Sequence, residues 1–189
     1  MQINTKLNFN VRDVASFLGF ETLMLVLIVA VTWGSNVPLS KTDSEFAKKA
    51  AQGGMAEVKL GQLAQSKGQS EAVKNFGKRM ESDHGKAGEE LQSIASREHL
   101  DLPAEIDKED QANYDRLSKL SGKEFDREYV NLMVDDHQKD VSEFKREVQT
   151  GQDDAVKSFA VQTLPTIQEH LQMIRKIQKD IASQNASAM

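Results

Sequence analysis

Apolar residues recur along most of this chain at spacings of three and four, the period of a helix face turned toward a core. From residue 43 the pattern resolves into four long helices. The first is capped by Asp43 or Ser44 and runs to about Lys67, with Phe46, Ala50, Gly53, Glu57, Leu60 and Ala64 on its inward stripe. Ser70 caps the second, which extends to roughly His99 through Val73, Phe76, Met80, His84, Ala87, Leu91 and Ala95. The third runs from about Lys123 to Thr150 through Val130, Met133, His137, Val141, Phe144 and Val148. The fourth begins near Asp153 and continues to about Ser183 through Val156, Phe159, Leu164, Ile167, Leu171, Ile174 and Ile177. His170 stands one step to the side of that last line.

Glycine and proline punctuate these helices. Gly68 and Gly151 close the first and third, and Leu102-Pro103 ends the second. Residues 99–122 then hold a short amphipathic helix through Tyr114, Leu117 and Leu120, closed by Ser121-Gly122. Pro165 has no N–H to donate, so it interrupts the fourth helix and leaves the Val161 carbonyl without its usual partner. Gly53-Gly54 falls inside the first helix at a cost of about 1 kcal/mol per glycine relative to Ala. Such a pair predicts close approach by a neighbouring helix.

Tight turns after the first and third helices, with a long connection between the pairs, describe two helical hairpins. A ferritin-like four-helix bundle with one crossover fits that plan. Val73-Lys74-Asn75-Phe76 and Val156-Lys157-Ser158-Phe159 open the second helix of each hairpin, so the halves read as a degenerate repeat. The expected organisation is an N-terminal signal or anchor over 1–34, a linker over 35–42, the bundle over 43–183 and a frayed tail over 184–189.

Residues 23–33 are an apolar run. It is shorter than the roughly 20 residues that cross a bilayer, and closer to a secretory core. Counting back to Val14 reaches spanning length at the cost of Glu21 near one edge. Lys6 and Arg12 supply a modest basic start, no Ala-x-Ala cleavage site follows, and Trp33 suits a membrane interface. The expectation is export, with the bundle anchored at the inner membrane and facing the periplasm. Cleavage of the segment would instead release it as a periplasmic or secreted protein.

Composition narrows the chemistry. Aromatics at 6% and three prolines belong to a helical protein. A net charge of −5 without a basic stripe argues against nucleic acid. With no cysteine, thiolate metal sites, disulfides and cysteine nucleophiles are excluded. No glycine-rich phosphate loop or Gly-x-Ser-x-Gly elbow occurs.

One motif appears twice, as Met80-Glu81-Ser82-Asp83-His84-Gly85-Lys86 and Met133-Val134-Asp135-Asp136-His137-Gln138-Lys139. Both copies read Met-x-x-Asp-His-x-Lys. An aromatic stands four before each Met (Phe76, Tyr129), and an acid five before that (Glu71, Glu124). Together with Glu45-Phe46, Ala-Ala-Gln-Gly-Gly-Met-Ala-Glu at 50–57 and Thr163-Leu164-Pro165 leading to Glu169-His170, this resembles the bacterial domain-of-unknown-function family 4142. The resemblance covers roughly residues 40–180. It implies a ferritin-like bundle, exported or membrane-tethered, and no established activity.

At about 1.5 Å of rise per residue, Glu57, His84, His137 and His170 fall within about one turn of a common level in a crossover bundle. This is one polar layer in an apolar core, and it admits two readings. As a metal site, Glu57 with Glu81-x-x-His84 matches half of a di-iron ligand scheme. Ile167 and Met133 stand where the other half should be. The histidines with Met80, Met133 and Met173 form a softer set suited to copper, Cu(I) above all, or to another single transition metal. As a structural layer, the same histidines would bond across helices and set bundle register, with Met filling gaps. Asp83, Asp136 and Glu169, about 100° round from the adjacent histidines, would pair across helices or with water. His99 reads as a surface residue at a helix C-terminus. The function expected is a non-enzymatic binding or structural module of the cell envelope, partnered by an envelope protein or a second copy. Metal binding through His84, His137, His170, Glu57, Met80, Met133 and Glu81 is the alternative, and a di-metal redox enzyme the lesser one.

Overall fold

The computed structural model describes residues 38–187. The expected signal or anchor over 1–34 lies outside the described residues. Among the described residues there are five helices and no strand: α1 Lys41–Lys67, α2 Glu71–Arg97, α3 Lys108–Ser118, α4 Gly122–Thr150 and α5 Asp154–Ser187. None of these helices is long and apolar enough to cross a membrane. α1 pairs with α2 and α4 with α5 as hairpins, α2 packs on α5 and α1 on α4, and α3 lies against α1 and α4. A parallel bridge joins Gly68 to Gly122, so α4 starts beside the α1–α2 turn. The chain therefore crosses the length of the bundle between α2 and α4, as the long connection predicted.

Ser40 caps α1, its hydroxyl accepting the Asp43 N–H at 3.1 Å, one turn earlier than the capping expected of Asp43 or Ser44. Asp43 serves the other hairpin instead. It is fully buried and accepts the N–H groups of Gln152 and Asp153 at 3.2 and 2.8 Å, in the turn that opens α5. Asp126, near the start of α4, does the same for Gln69 and Ser70 at 2.9 and 2.8 Å, in the turn that opens α2. Each hairpin thus lends a carboxylate to the other's turn, where N–H groups have no helical acceptor and charge-assisted bonds are strong. That reciprocity extends the sequence repeat into three dimensions.

The close helix approach lies elsewhere than expected. A Cβ on Gly53 or Gly54 would meet nothing within 4 Å, so no helix packs on that pair. Contact occurs about two turns later, where a Cβ on Gly61 would sit 2.5 Å from the Gly77 carbonyl oxygen, and one on Gly77 2.5 Å from that of Gly61. Here α1 and α2 touch backbone to backbone. Pro165 lies inside α5, and the helix continues through it. Val161, whose carbonyl loses its donor, is half exposed, so water is at hand to replace it. α5 also runs beyond Ser183, to Ser187. At the end of α2, His99 adopts φ 53° and the Leu100 N–H reaches back to the Ala95 carbonyl at 2.8 Å, a left-handed stop made without glycine.

Among the described residues, two apolar clusters fill the interior. One gathers Leu60, Phe76, Met80, Tyr129, Met133 and Ile174 toward the α1–α2 turn. The other gathers Phe46, Leu91, Phe144, Phe159 and Ile167 toward the opposite end. On every long helix one polar residue separates the two sets: Glu57 on α1, His84 on α2, His137 on α4 and His170 on α5.

Candidate metal centre

Burial decides what these four residues do. Glu57 is 5% exposed, His84 7%, and His137 and His170 are fully buried. The three imidazole rings meet with centroids 5.9 Å apart for His84 and His137, 5.3 Å for His84 and His170, and 5.5 Å for His137 and His170. Phe76 closes one side, 6.0 Å from His137 and 6.2 Å from His170. The offset of His170 from its apolar line turns its ring toward the other two.

Each ring has one nitrogen engaged. His84 Nδ1 lies 2.8 Å from Glu57 Oε2, His137 Nδ1 lies 2.9 Å from the Met133 carbonyl oxygen, and His170 Nε2 lies 2.9 Å from Asp83 Oδ2. A carbonyl or an ionised carboxylate accepts only, so each engaged nitrogen carries the proton. In a neutral ring the other nitrogen then presents a lone pair. Those nitrogens, His84 Nε2, His137 Nε2 and His170 Nδ1, are buried and have no hydrogen-bond partner. Each ring offers one ligand nitrogen such that all three lie within 4.8 Å of one another.

Electrostatics keeps two of the three rings in this state. Burial acts to raise the Glu57 carboxyl, but the charges of His84 and His137 outweigh it and bring it down to about 2. Burial would lower His84, but its bond to the Glu57 carboxylate raises it. His137 is lowered chiefly by burial, and His170 is lowered to about 4 by burial despite its bond to Asp83. Two of the rings are therefore neutral near pH 7, with basic nitrogens available. Asp83 is anchored in turn by Arg79 Nε at 3.0 Å, while Arg79 also reaches Glu169 Oε2 at 2.8 Å and Met173 Sδ at 3.7 Å.

The remaining candidates are placed differently. Glu81 turns away from the rings, its carboxylate taking N–H groups from Gln62 and Gln65 at 2.8 and 2.7 Å. Met80 and Met133 pack in the apolar cluster at the α1–α2 end, and Met133 enters the site through its backbone carbonyl. With Glu81 turned aside and Ile167 buried on α5, the carboxylate set of a di-iron centre is not assembled. Asp83 does pair across helices, as its angle to His84 predicted. Asp136 has a same-helix partner, Lys139, at 3.8 Å.

Sequence reasoning missed Asp140. Its carboxylate, Glu57 and His137 form a second group whose ligand atoms lie within 4.8 Å of one another. One turn after His137 on α4, Asp140 shares that residue's helical face, and this spacing was its only signal. A pocket of ≈ 40 Å³, room for one ion or water, is lined by Glu57, His84, Asp140, Phe144 and Phe159. A larger cavity of ≈ 290 Å³ opens between α1, α3 and α4, with Glu57 and Asp140 in its wall beside Asp110 and Asp136. Burial, then neighbouring carboxylates, push Asp110 up to about 6 and Asp136 up to about 7, and raise Asp140 well above the ordinary range.

Comparison with known proteins agrees with this architecture. A crystal structure of a DUF305 fragment from Deinococcus radiodurans superposes with a TM-score of 0.67 at 15% identity, over 76% of this chain and 99% of that one. A putative secreted DUF305 protein from Streptomyces coelicolor gives a TM-score of 0.65 at 14% identity, over 75% of this chain and 92% of that one. At such identities the likeness is one of fold. No curated protein matches the chain in sequence. The family described as Domain of unknown function (DUF4142) matches residues 32–177, and the chain belongs to that family.

Proposed function

We propose that this protein is a metal-binding, ferritin-like four-helix bundle of the cell envelope, holding one divalent transition-metal ion between His84, His137 and His170. The observation that carries this reading is the set of three ring nitrogens, buried and without hydrogen-bond partners, brought together from three helices. In an apolar interior each such atom costs about 1–3 kcal/mol, and a cation at their centre removes all three penalties together. The bonds on the far side of each ring, to Glu57, Met133 and Asp83, are the outer contacts that orient metal-ligating histidines. An ion with nitrogen at about 2.0–2.1 Å spaces its ligands roughly 3.4 Å apart, within reach of nitrogens that already lie within 4.8 Å of one another. Glu57 stands ready as a fourth ligand, its Oε1 lying 3.4 Å from His137 Nε2.

The donors are imidazole nitrogen and carboxylate oxygen, with methionine in the apolar layer. That set suits Cu(II), Zn(II) or Ni(II) better than the Cu(I) which a His/Met site would prefer. The apolar run at 23–33 supports export of the module.

Elemental analysis of the full chain in mild detergent, purified without chelator or affinity metal and titrated with Cu(II), Zn(II) and Ni(II), tests the proposal. One equivalent bound, and lost in His84→Ala/His137→Ala, supports it. No stoichiometric uptake overturns it and leaves the histidines as a layer that sets helix register.

A further inference from the structure

The cavity between α1, α3 and α4 does not belong to the histidine triad, yet it meets the triad at Glu57. Seven carboxylates and two lysines line it. Lys49 pairs with Glu143 at 3.5 Å and Lys139 with Asp136 at 3.8 Å, so acidic groups remain in excess in the cavity. At its inner wall stands Glu57 Oε1, an atom with no hydrogen-bond partner on a side chain 5% exposed. Glu57, His137 and Asp140 bring three ligand atoms within 4.8 Å there, where carboxyl groups from α1 and α4 crowd together.

We propose that this cavity is an acidic vestibule with its own cation position, at Glu57, His137 and Asp140, through which a divalent metal ion reaches the three histidines. The inference rests on the triad reading above and adds to it a route and a second site. Both positions draw on the Nε2 lone pair of His137, since its Nδ1 is bonded to the Met133 carbonyl. One ion therefore occupies one position at a time. Moving inward, it exchanges the Asp140 oxygen for the nitrogens of His84 and His170 while His137 and Glu57 stay bound. A hydrated divalent ion is drawn first to carboxylate oxygens, and imidazole then holds a first-row transition metal more firmly. Asp110 and Asp136, nearer α3, supply the field that gathers the ion from solvent.

Stopped-flow absorbance with Co(II) as the probe, on the full chain, tests the route. In Asp110→Asn/Asp136→Asn the association rate should fall about tenfold or more and lose most of its dependence on ionic strength. An unchanged rate overturns the vestibule while leaving the triad intact, whereas a parent protein that takes up no Co(II) overturns both. Asp110→Asn alone, on the partly exposed α3, gives the same test with least demand on folding and should show a smaller slowing in the same direction. The outer position has a separate readout. His84→Ala/His170→Ala keeps Glu57, His137 and Asp140, and should retain weak binding of one Co(II) that Asp140→Asn abolishes. Complete loss of binding in the double histidine variant, with the helical circular dichroism intact, overturns the second site.

Discussion

Asp83 Oδ2 lies 2.9 Å from His170 Nε2, joining α2 to α5 across 87 residues of sequence. The histidine beside Asp83 in the chain takes a different carboxylate, Glu57 of α1. Adjacent positions on a helix point about 100° apart, so an Asp-His pair serves two neighbours at once. In the second copy of the motif His137 faces inward like His84, but Asp136 opens into the acidic cavity. The two halves have diverged in what their aspartates hold.

Asp83 is a positioning residue for His170, which predicts a graded effect on metal binding. Asp83→Ala should weaken binding by about 10–100-fold with the helical content unchanged, because nothing then fixes which nitrogen carries the proton. Asp83→Asn retains an acceptor for the ring N–H and should recover much of the loss. Competition titration against a chelator of known affinity measures both. Equal affinity in the alanine variant and the parent would show that the bond does not orient the ring.

The glycines of α1 and α2 fall into two classes, which predicts opposite responses to the same substitution. Gly61→Ala drives a methyl group into the Gly77 backbone and should destabilise the protein by about 1–3 kcal/mol or more. Gly54→Ala meets open space and should stabilise it by about 0.4–1 kcal/mol, through the entropy of the unfolded chain. Chemical denaturation of the two variants separates these outcomes by sign.

Glu147 links stability to pH away from the metal centre. It is 2% exposed beside Asp43, and Oε1 has no hydrogen-bond partner. Burial, and then the Asp43 carboxylate, push its carboxyl up to about 7 from 4.5, against weaker opposition from Arg146 and Lys157. The folded state therefore holds this proton more tightly than the unfolded chain does. Its stabilising contribution is complete below about pH 4.5 and fades as pH rises through about 7. Denaturation midpoints should fall across that window, and Glu147→Gln, which cannot ionise, should flatten the trend. An identical pH profile in the variant would sink this assignment.

Much of the architecture was legible in the residues. Helix number, the long crossover and the inward faces follow from the spacing of apolar side chains, because a helix turns at a fixed angle per residue. The same arithmetic places Glu57, His84, His137 and His170 near one level. Caps and close contacts were less legible. Asp43 resembles a local N-cap, and only the turn of the other hairpin, folded against it, gives its carboxylate a better set of donors. Gly53-Gly54 and Gly61 carry the same local signal. Which of them receives a helix depends on where α2 crosses α1.

The sequence by itself determined that this protein is a helical bundle with three histidines near its middle. Tertiary structure decided which nitrogen of each ring is engaged, that Glu81 faces Gln62 and Gln65, and that Asp140 joins Glu57. The reason is physical. Periodicity fixes a side chain's angle on its own helix, whereas a hydrogen bond or a shared ligand position depends on the rotation and axial offset of the helix opposite. Those are set by packing the whole core at once.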